Sequence, residues 1–98
     1  MNKEQGTDQF IEIAKASARI KSVLKPTPLQ RSKSLSGGNT KVYYKMENLN
    51  PTGSFKIRGA ANKILSMSEE DRAKGVVTAS SGNHGLGFSY MCNHTSCN

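Results

Sequence analysis

Phe10, Ile13, Ser17, Ile20 and Leu24 recur along the first quarter of the chain at alternating spacings of three and four. That period belongs to one face of a helix, and it predicts an amphipathic helix from Thr7 to about Leu24. Thr7 or Asp8 suits its start, and Arg19 and Lys21 suit the far end of its dipole. The stripe is narrow and rich in Ala and Ser, so the helix must pack on something else. Lys25-Pro26-Thr27-Pro28-Leu29 ends it, because prolines cannot continue a helix. An extended crossing and a short turn follow from Gln30 to Leu35. The glycine pair of Ser36-Gly37-Gly38-Asn39 reads as a plain turn rather than a phosphate cradle, since no helix follows it.

The pattern then changes period. Val42 to Met46 reads as a strand. A turn leads from it into a helix from Phe55 to about Met67. Ser66 or Ser68 caps a short acidic helix start, Glu69-Glu70-Asp71, and Gly75 ends it. Gly75-Val76-Val77-Thr78-Ala79-Ser80 reads as a second strand, and its lack of alternation suits burial on both faces of a parallel sheet. Ser81 to Gly87 is a tight turn that opens a helix from Leu86 to about Cys92. The order is α, then β-α-β-α, which implies an α/β fold with parallel strands and a right-handed crossover.

Ninety-eight residues with a net charge of +7 suit one small domain with an affinity for anions. The basic residues are scattered from Lys3 to Lys74 with no accompanying nucleic-acid motif, which argues against nucleic acid as the partner. Met1 to Gly6 is polar and unlike a signal peptide, and no apolar run approaches a membrane span. Cys92 and Cys97 do not make a disulfide framework. The expectation is a cytoplasmic, reduced protein. Cys92, His94 and Cys97 fall within six residues but lack a fourth ligand, so no metal is expected. Asn93-His94-Thr95 matches a glycosylation sequon that a cytoplasmic chain does not use.

Two turns carry candidate chemistry. Asn50-Pro51-Thr52-Gly53-Ser54-Phe55-Lys56 delivers one lysine to the mouth of a helix, among small residues that leave room for something flat and anionic. A solvated lysine is the ordinary occupant of such a position. However, a cation there works against the helix dipole by a few tenths of a kcal/mol or more. A partly desolvated lysine can lose its proton and condense with an aldehyde. The second turn, Ser81-Gly82-Asn83-His84-Gly85, offers consecutive backbone N–H groups, hydroxyls and an amide, a receptor suited to a carboxylate. It also reads as a capped helix start, with Ser81 or Asn83 as the cap. Its glycines follow G-x-x-G-x-G, which is not the dinucleotide fingerprint. Both turns follow predicted strands, where open parallel sheets bind their ligands. His84 as a general base would need a partner carboxylate that the sequence does not identify.

The eight residues Gly53-Ser54-Phe55-Lys56-Ile57-Arg58-Gly59-Ala60 closely resemble the cofactor-lysine motif of the fold-type II pyridoxal 5'-phosphate (PLP) enzymes, in the threonine/serine dehydratase and serine racemase branch. Ser81 to Gly85 resembles the same family's asparagine loop, and Thr27-Pro28-Leu29 with Ser32 and Leu35-Ser36 resembles its N-terminal segment. The resemblance runs from about Thr7 to Cys92 and implies a partial parallel-sheet, three-layer unit of the tryptophan synthase beta-like fold. It implies PLP as cofactor, held by Lys56 as catalytic residue, with Phe55 packed near it and Asn83 facing its 3-hydroxyl. Ser81, Gly82, Asn83 and His84 would bind the substrate carboxylate, and Arg58 would be structural. Ser81 stands where many threonine dehydratases carry alanine and serine racemases carry serine, so it is a candidate catalytic residue for racemisation.

The family's Gly-rich loop for the PLP phosphate, its Ser or Cys at the pyridine nitrogen and the metal-binding carboxylates of some members have no counterpart here. The polar tail from Asn93 to Asn98 is expected to break the last helix. Residues 1–98 are therefore expected to be a truncated N-terminal part of a PLP-dependent enzyme domain. Three functions remain open. The leading one is a hydroxy-amino-acid ammonia-lyase of the L-threonine/L-serine dehydratase type in lineage, impaired by truncation. The others are a serine racemase-type activity and a non-catalytic remnant that binds a partner through an open sheet edge. The partners implied are a small-molecule amino acid and either a second copy or the full-length enzyme.

Overall fold

The computed structural model describes residues 3–97; Met1, Asn2 and Asn98, the outer ends of the polar N-terminus and of the tail, lie outside the described residues. Helix α1 spans Lys3–Ile20. It starts earlier than the apolar stripe, because Lys3 to Gln5 are good helix formers with nothing to stop them. Thr7 and Asp8 thus lie inside the helix rather than at its start. Only the far end of α1 reaches the core: Leu24, just beyond it, is buried, whereas Phe10 and Ile13 are largely exposed. Arg19 donates from Nη1 to Asn62 Oδ1 at 2.5 Å and ties α1 to the next long helix.

The chain then forms a small antiparallel ladder. β1 (Leu29–Arg31) pairs with β2 (Tyr43–Lys45), with Leu29 opposite Lys45 and Arg31 opposite Tyr43. The ladder extends through Ser32 N–H to Val42 O at 2.8 Å and Met46 N–H to Pro28 O at 2.9 Å. The loop between the strands closes as a tight turn, with Gly37 and Thr40 exchanging hydrogen bonds and Gly38 at φ 55°.

The mixed α/β class holds, but the strand pairing departs from the parallel arrangement expected. The extended crossing at Gln30 is itself a strand, and a short turn can only return it antiparallel. The expected second strand, Gly75–Ser80, forms no ladder; Val77 is 97% exposed. A strand needs a neighbour for its N–H and C=O groups, and no strand among the described residues pairs with this segment.

Helix α2 spans Lys56–Ser66, and its buried residues Ile57, Ala60, Ala61 and Ile64 form one helical face. The short α3 (Glu69–Ala73) is capped by Ser68, whose side chain accepts from Asp71 N–H at 3.1 Å. Helix α4 spans Asn83–Thr95, longer at both ends than the sequence pattern predicts. The polar tail does not break it at Asn93: the Thr95 hydroxyl donates to Met91 O at 2.8 Å, and the helix closes on Ser96 at φ 56°. Ile57, Ala61 and Ile64 of α2, Met91 of α4 and Leu24 make the core. Each of the larger side chains contributes about 1.5–3 kcal/mol by burial.

Candidate functional site

Lys56 is the first residue of α2. The turn that delivers it is built by Asn50, which is buried at 6% exposure. Asn50 Nδ2 donates to Ser54 O at 3.1 Å and to Glu47 Oε2 at 2.8 Å, while its carbonyl accepts from Gly53 N–H at 2.9 Å. Gly53 sits at φ 79°, a left-handed conformation that glycine adopts without penalty. Phe55 occupies the position before the helix and supplies no side-chain cap. Ser54 Oγ accepts weakly from Lys56 N–H, at 3.3 Å.

Glu47 anchors this turn. Its carboxylate accepts from Arg58 Nε at 2.6 Å and Nη2 at 3.0 Å, from Thr27 Oγ1 at 2.5 Å and from Asn50. The Arg58 guanidinium, followed by the Thr27 hydroxyl, holds the Glu47 carboxyl at about 2, well below the ordinary 4.5. Arg58 is pushed up in turn by Glu47. Arg58 is thus a structural residue, as the resemblance implies. Glu47 and Asn50 escape sequence reasoning because a lone Glu at a strand end looks like any solvated acid.

The second turn is held by Ser80, not by Ser81 or Asn83. Ser80 Oγ accepts from Gly82 N–H at 3.2 Å and Gly85 N–H at 3.0 Å. Gly82 precedes the helix without a side-chain cap, and Asn83 is the first helical residue. Ser81, Gly82 and Asn83 are exposed. His84 is half-buried, its ring 6.4 Å from that of Phe88. Among the described residues no carboxylate bonds to His84, so the partner a general base needs is not supplied here.

Gly87 joins the two turns. A Cβ there would lie 3.0 Å from Ile57 Cα, 3.1 Å from Ile57 N and 3.4 Å from Lys56 C. The backbone of α4 therefore rests directly on the first residues of α2. Asn83 stands one helical turn earlier in α4, about 6 Å along its axis. Two helix starts, neither with an acidic residue in its first turn, thus lie in neighbouring helices, an arrangement that favours an anion.

The Lys56 side chain is exposed, and its Nζ lies 5.5 Å from the centroid of the exposed Phe55 ring. No carboxylate pairs with it among the described residues. The Thr52 hydroxyl, in the same turn, is buried without a partner. A concavity lined mainly by Val23, Pro26, Pro28, Leu49 and Pro51, with Lys25, Thr27 and Asn50, does not include Lys56. The arrangement offers a free amine beside anion-favouring N–H groups on an open surface. No three His, Cys, Asp or Glu side chains converge as metal ligands among the described residues, and His94 stacks on Tyr90, their rings 8° from parallel.

A family model described as pyridoxal-phosphate dependent enzyme matches residues 20–97. A catabolic L-threonine dehydratase of Staphylococcus aureus is 51% identical over 78 residues, which is 78% of this chain and 22% of that protein. A serine racemase of Dictyostelium discoideum is 46% identical over 80 residues, 81% of this chain and 25% of that protein. The structure of maize serine racemase superposes with a TM-score of 0.83 at 37% identity, over 88% of this chain and 27% of that one. The chain thus spans about a quarter of the length of the relatives it matches.

Proposed function

Because the chain belongs to the pyridoxal-phosphate dependent enzyme family, beside threonine dehydratases and serine racemases, we propose that it carries the lysine and substrate loop of a hydroxy-amino-acid ammonia-lyase. The fit of the cofactor rests on the donor set. Lys56 is exposed rather than partly desolvated, and its amine, with no carboxylate partner among the described residues, is within reach of an aldehyde, while the helix starts of α2 and α4 favour an anion. The observation that carries the reading is the contact of Gly87 with Lys56 and Ile57, since it packs the helix of the Asn83 loop against the start of the lysine helix.

Lys56 Nζ would hold the cofactor, with Phe55 and Asn83 as the further residues toward it, Asn83 for its 3-hydroxyl. When bound, PLP is the electron sink that stabilises negative charge at the substrate Cα. Backbone N–H groups of Ser81 to His84, with the Ser81 hydroxyl and the Asn83 amide, orient the substrate carboxylate. The Lys56 amine would be the base for the α-proton. Loss of the β-hydroxyl as water, followed by hydrolysis of the C–N bond, would give a 2-oxo acid and ammonia.

Ser81 supports a second reading. Racemisation needs a proton-bearing group for each face of Cα, and the exposed Ser81 hydroxyl would be the second such group, on the face opposite Lys56. The exposed, unpaired segment at Val77 supports the further reading of a chain that acts by association with a second copy or a longer enzyme in the cytoplasm.

Adding PLP to the purified chain should produce an absorbance band at roughly 410–430 nm, as lysine-bound PLP gives. Lys56→Ala should lose it with the circular dichroism unchanged. A band that survives Lys56→Ala overturns the assignment.

A further inference from the structure

The end of α4 brings together two thiols that the Lys56 site does not use. In a straight helix, residues five apart stand about 7.5 Å apart along the axis and point to different sides. Here Ser96, in the left-handed conformation at φ 56°, reverses the chain. The N–H groups of Ser96 and Cys97 both turn back to the carbonyl of Cys92, Cys97 at 3.0 Å. Such a helix ending sets the side chain beyond the left-handed residue on the one at the start of the last turn. That contact is ordinarily apolar; in this chain both of its members are cysteines.

Other observations fix the pair. Both side chains are half-buried and pack on the core formed by Ile57, Ala61, Ile64 and Met91. Thr95 Oγ1 lies 3.1 Å from Cys97 Sγ and already gives its one proton to Met91 O, so the Cys97 thiol is the donor in that contact. Burial, and then the adjacent Cys97 side chain, push the Cys92 thiol up from its ordinary value.

We infer that Cys92 and Cys97 are a thiol–disulfide exchange site, closing reversibly into an intramolecular disulfide across the end of α4. The bridge requires Cα atoms roughly 4.4–6.8 Å apart, a reach that the backbone hydrogen bond between the two residues provides. The oxidant is a low-molecular-weight disulfide such as oxidised glutathione. The Cys97 thiolate attacks one of its sulfurs, forming a mixed disulfide and releasing one glutathione. Cys92 sulfur then attacks Cys97 sulfur, and the second glutathione leaves. The two cysteine protons end on the two glutathione thiols, and two electrons pass from the protein to the glutathione disulfide.

The test uses the full chain in graded mixtures of oxidised and reduced glutathione, quenched with acid, alkylated and read by intact mass and peptide mapping. Expected is a product lighter by two hydrogens, with Cys92 joined to Cys97. Cys92→Ser and Cys97→Ser should each stop at one glutathione adduct. In denaturing urea the equilibrium constant for ring closure should fall by about tenfold or more, because the reversal at Ser96 is lost. A wild-type chain that stops at the mixed disulfide, that cross-links only between molecules, or that closes equally well in urea overturns the inference.

Discussion

Glu47 and Arg58 meet side on, Nε and Nη2 of the guanidinium facing the two carboxylate oxygens at 2.6 and 3.0 Å, and about a quarter of each side chain remains exposed. The pair links the short 3-10 turn after β2, Glu47–Leu49, to the first turn of α2, across the turn that presents Lys56. Its energetics belong to the fold, but its position makes it the support of the amine.

Acid should therefore loosen this region in a defined window. The Glu47 carboxyl is held at about 2 when folded against an ordinary 4.5. A depressed folded value means that the unfolded chain binds the proton more tightly. The stabilisation is complete above 4.5 and is lost as pH falls toward 2, and it amounts to about 1–3 kcal/mol. Urea midpoints measured between pH 6 and pH 2.5 should fall across that range. Glu47→Gln should lower the midpoint at pH 6 and flatten the slope.

Gly87 and Gly85 give opposite expectations two residues apart. A Cβ at Gly87 meets the Ile57 backbone at 3.0 Å, where nothing flexible can yield. Gly87→Ala should cost about 1–3 kcal/mol and weaken PLP binding by displacing α4. A Cβ at Gly85 finds Ser80 at 3.5 Å, ordinary contact. Gly85→Ala should stay within about 0.5 kcal/mol of the parent. Thermal melts and PLP titrations of the two variants check the contrast.

Ser80→Ala should release the N–H groups of Gly82 and Gly85 together. The expected loss is about 1 kcal/mol, with faster amide exchange confined to residues 82–85. Ser81→Ala, which removes no side-chain hydrogen bond among the described residues, should leave the melt unchanged and alter only substrate chemistry.

Turnover by the isolated chain should be weak. The chain spans 22% of the dehydratase and 25% of the racemase it resembles, and the site lies open on its surface. Water excluded from an active site strengthens the electrostatics that catalysis uses, and an open surface does not exclude it. The purified chain with PLP should convert L-threonine to a 2-oxo acid at no more than about a thousandth of a full-length relative's rate, measured by coupled reduction of the product.

The helices, the turn at Gly53 and the wording of both site loops were legible in the sequence, because helical period, glycine placement and short motifs act over a few residues. The α2 face of Ile57, Ala60, Ala61 and Ile64 needs no distant partner to be recognised. Strand pairing was not legible in this way. Whether Val76 to Ser80 joins a ladder depends on a neighbour that the segment itself does not specify, and Gln30 took its partner from Tyr44 by way of a turn that reads as mere connection. Nor did local pattern reveal Glu47, Ser80 or Gly87 as supports of the site. An acid, a hydroxyl and a hydrogen in place of a Cβ acquire their meaning only from what lies across from them. Local pattern specifies which groups each turn carries; the packing of α4 on α2 brings the two turns together, because close approach is a property of two surfaces.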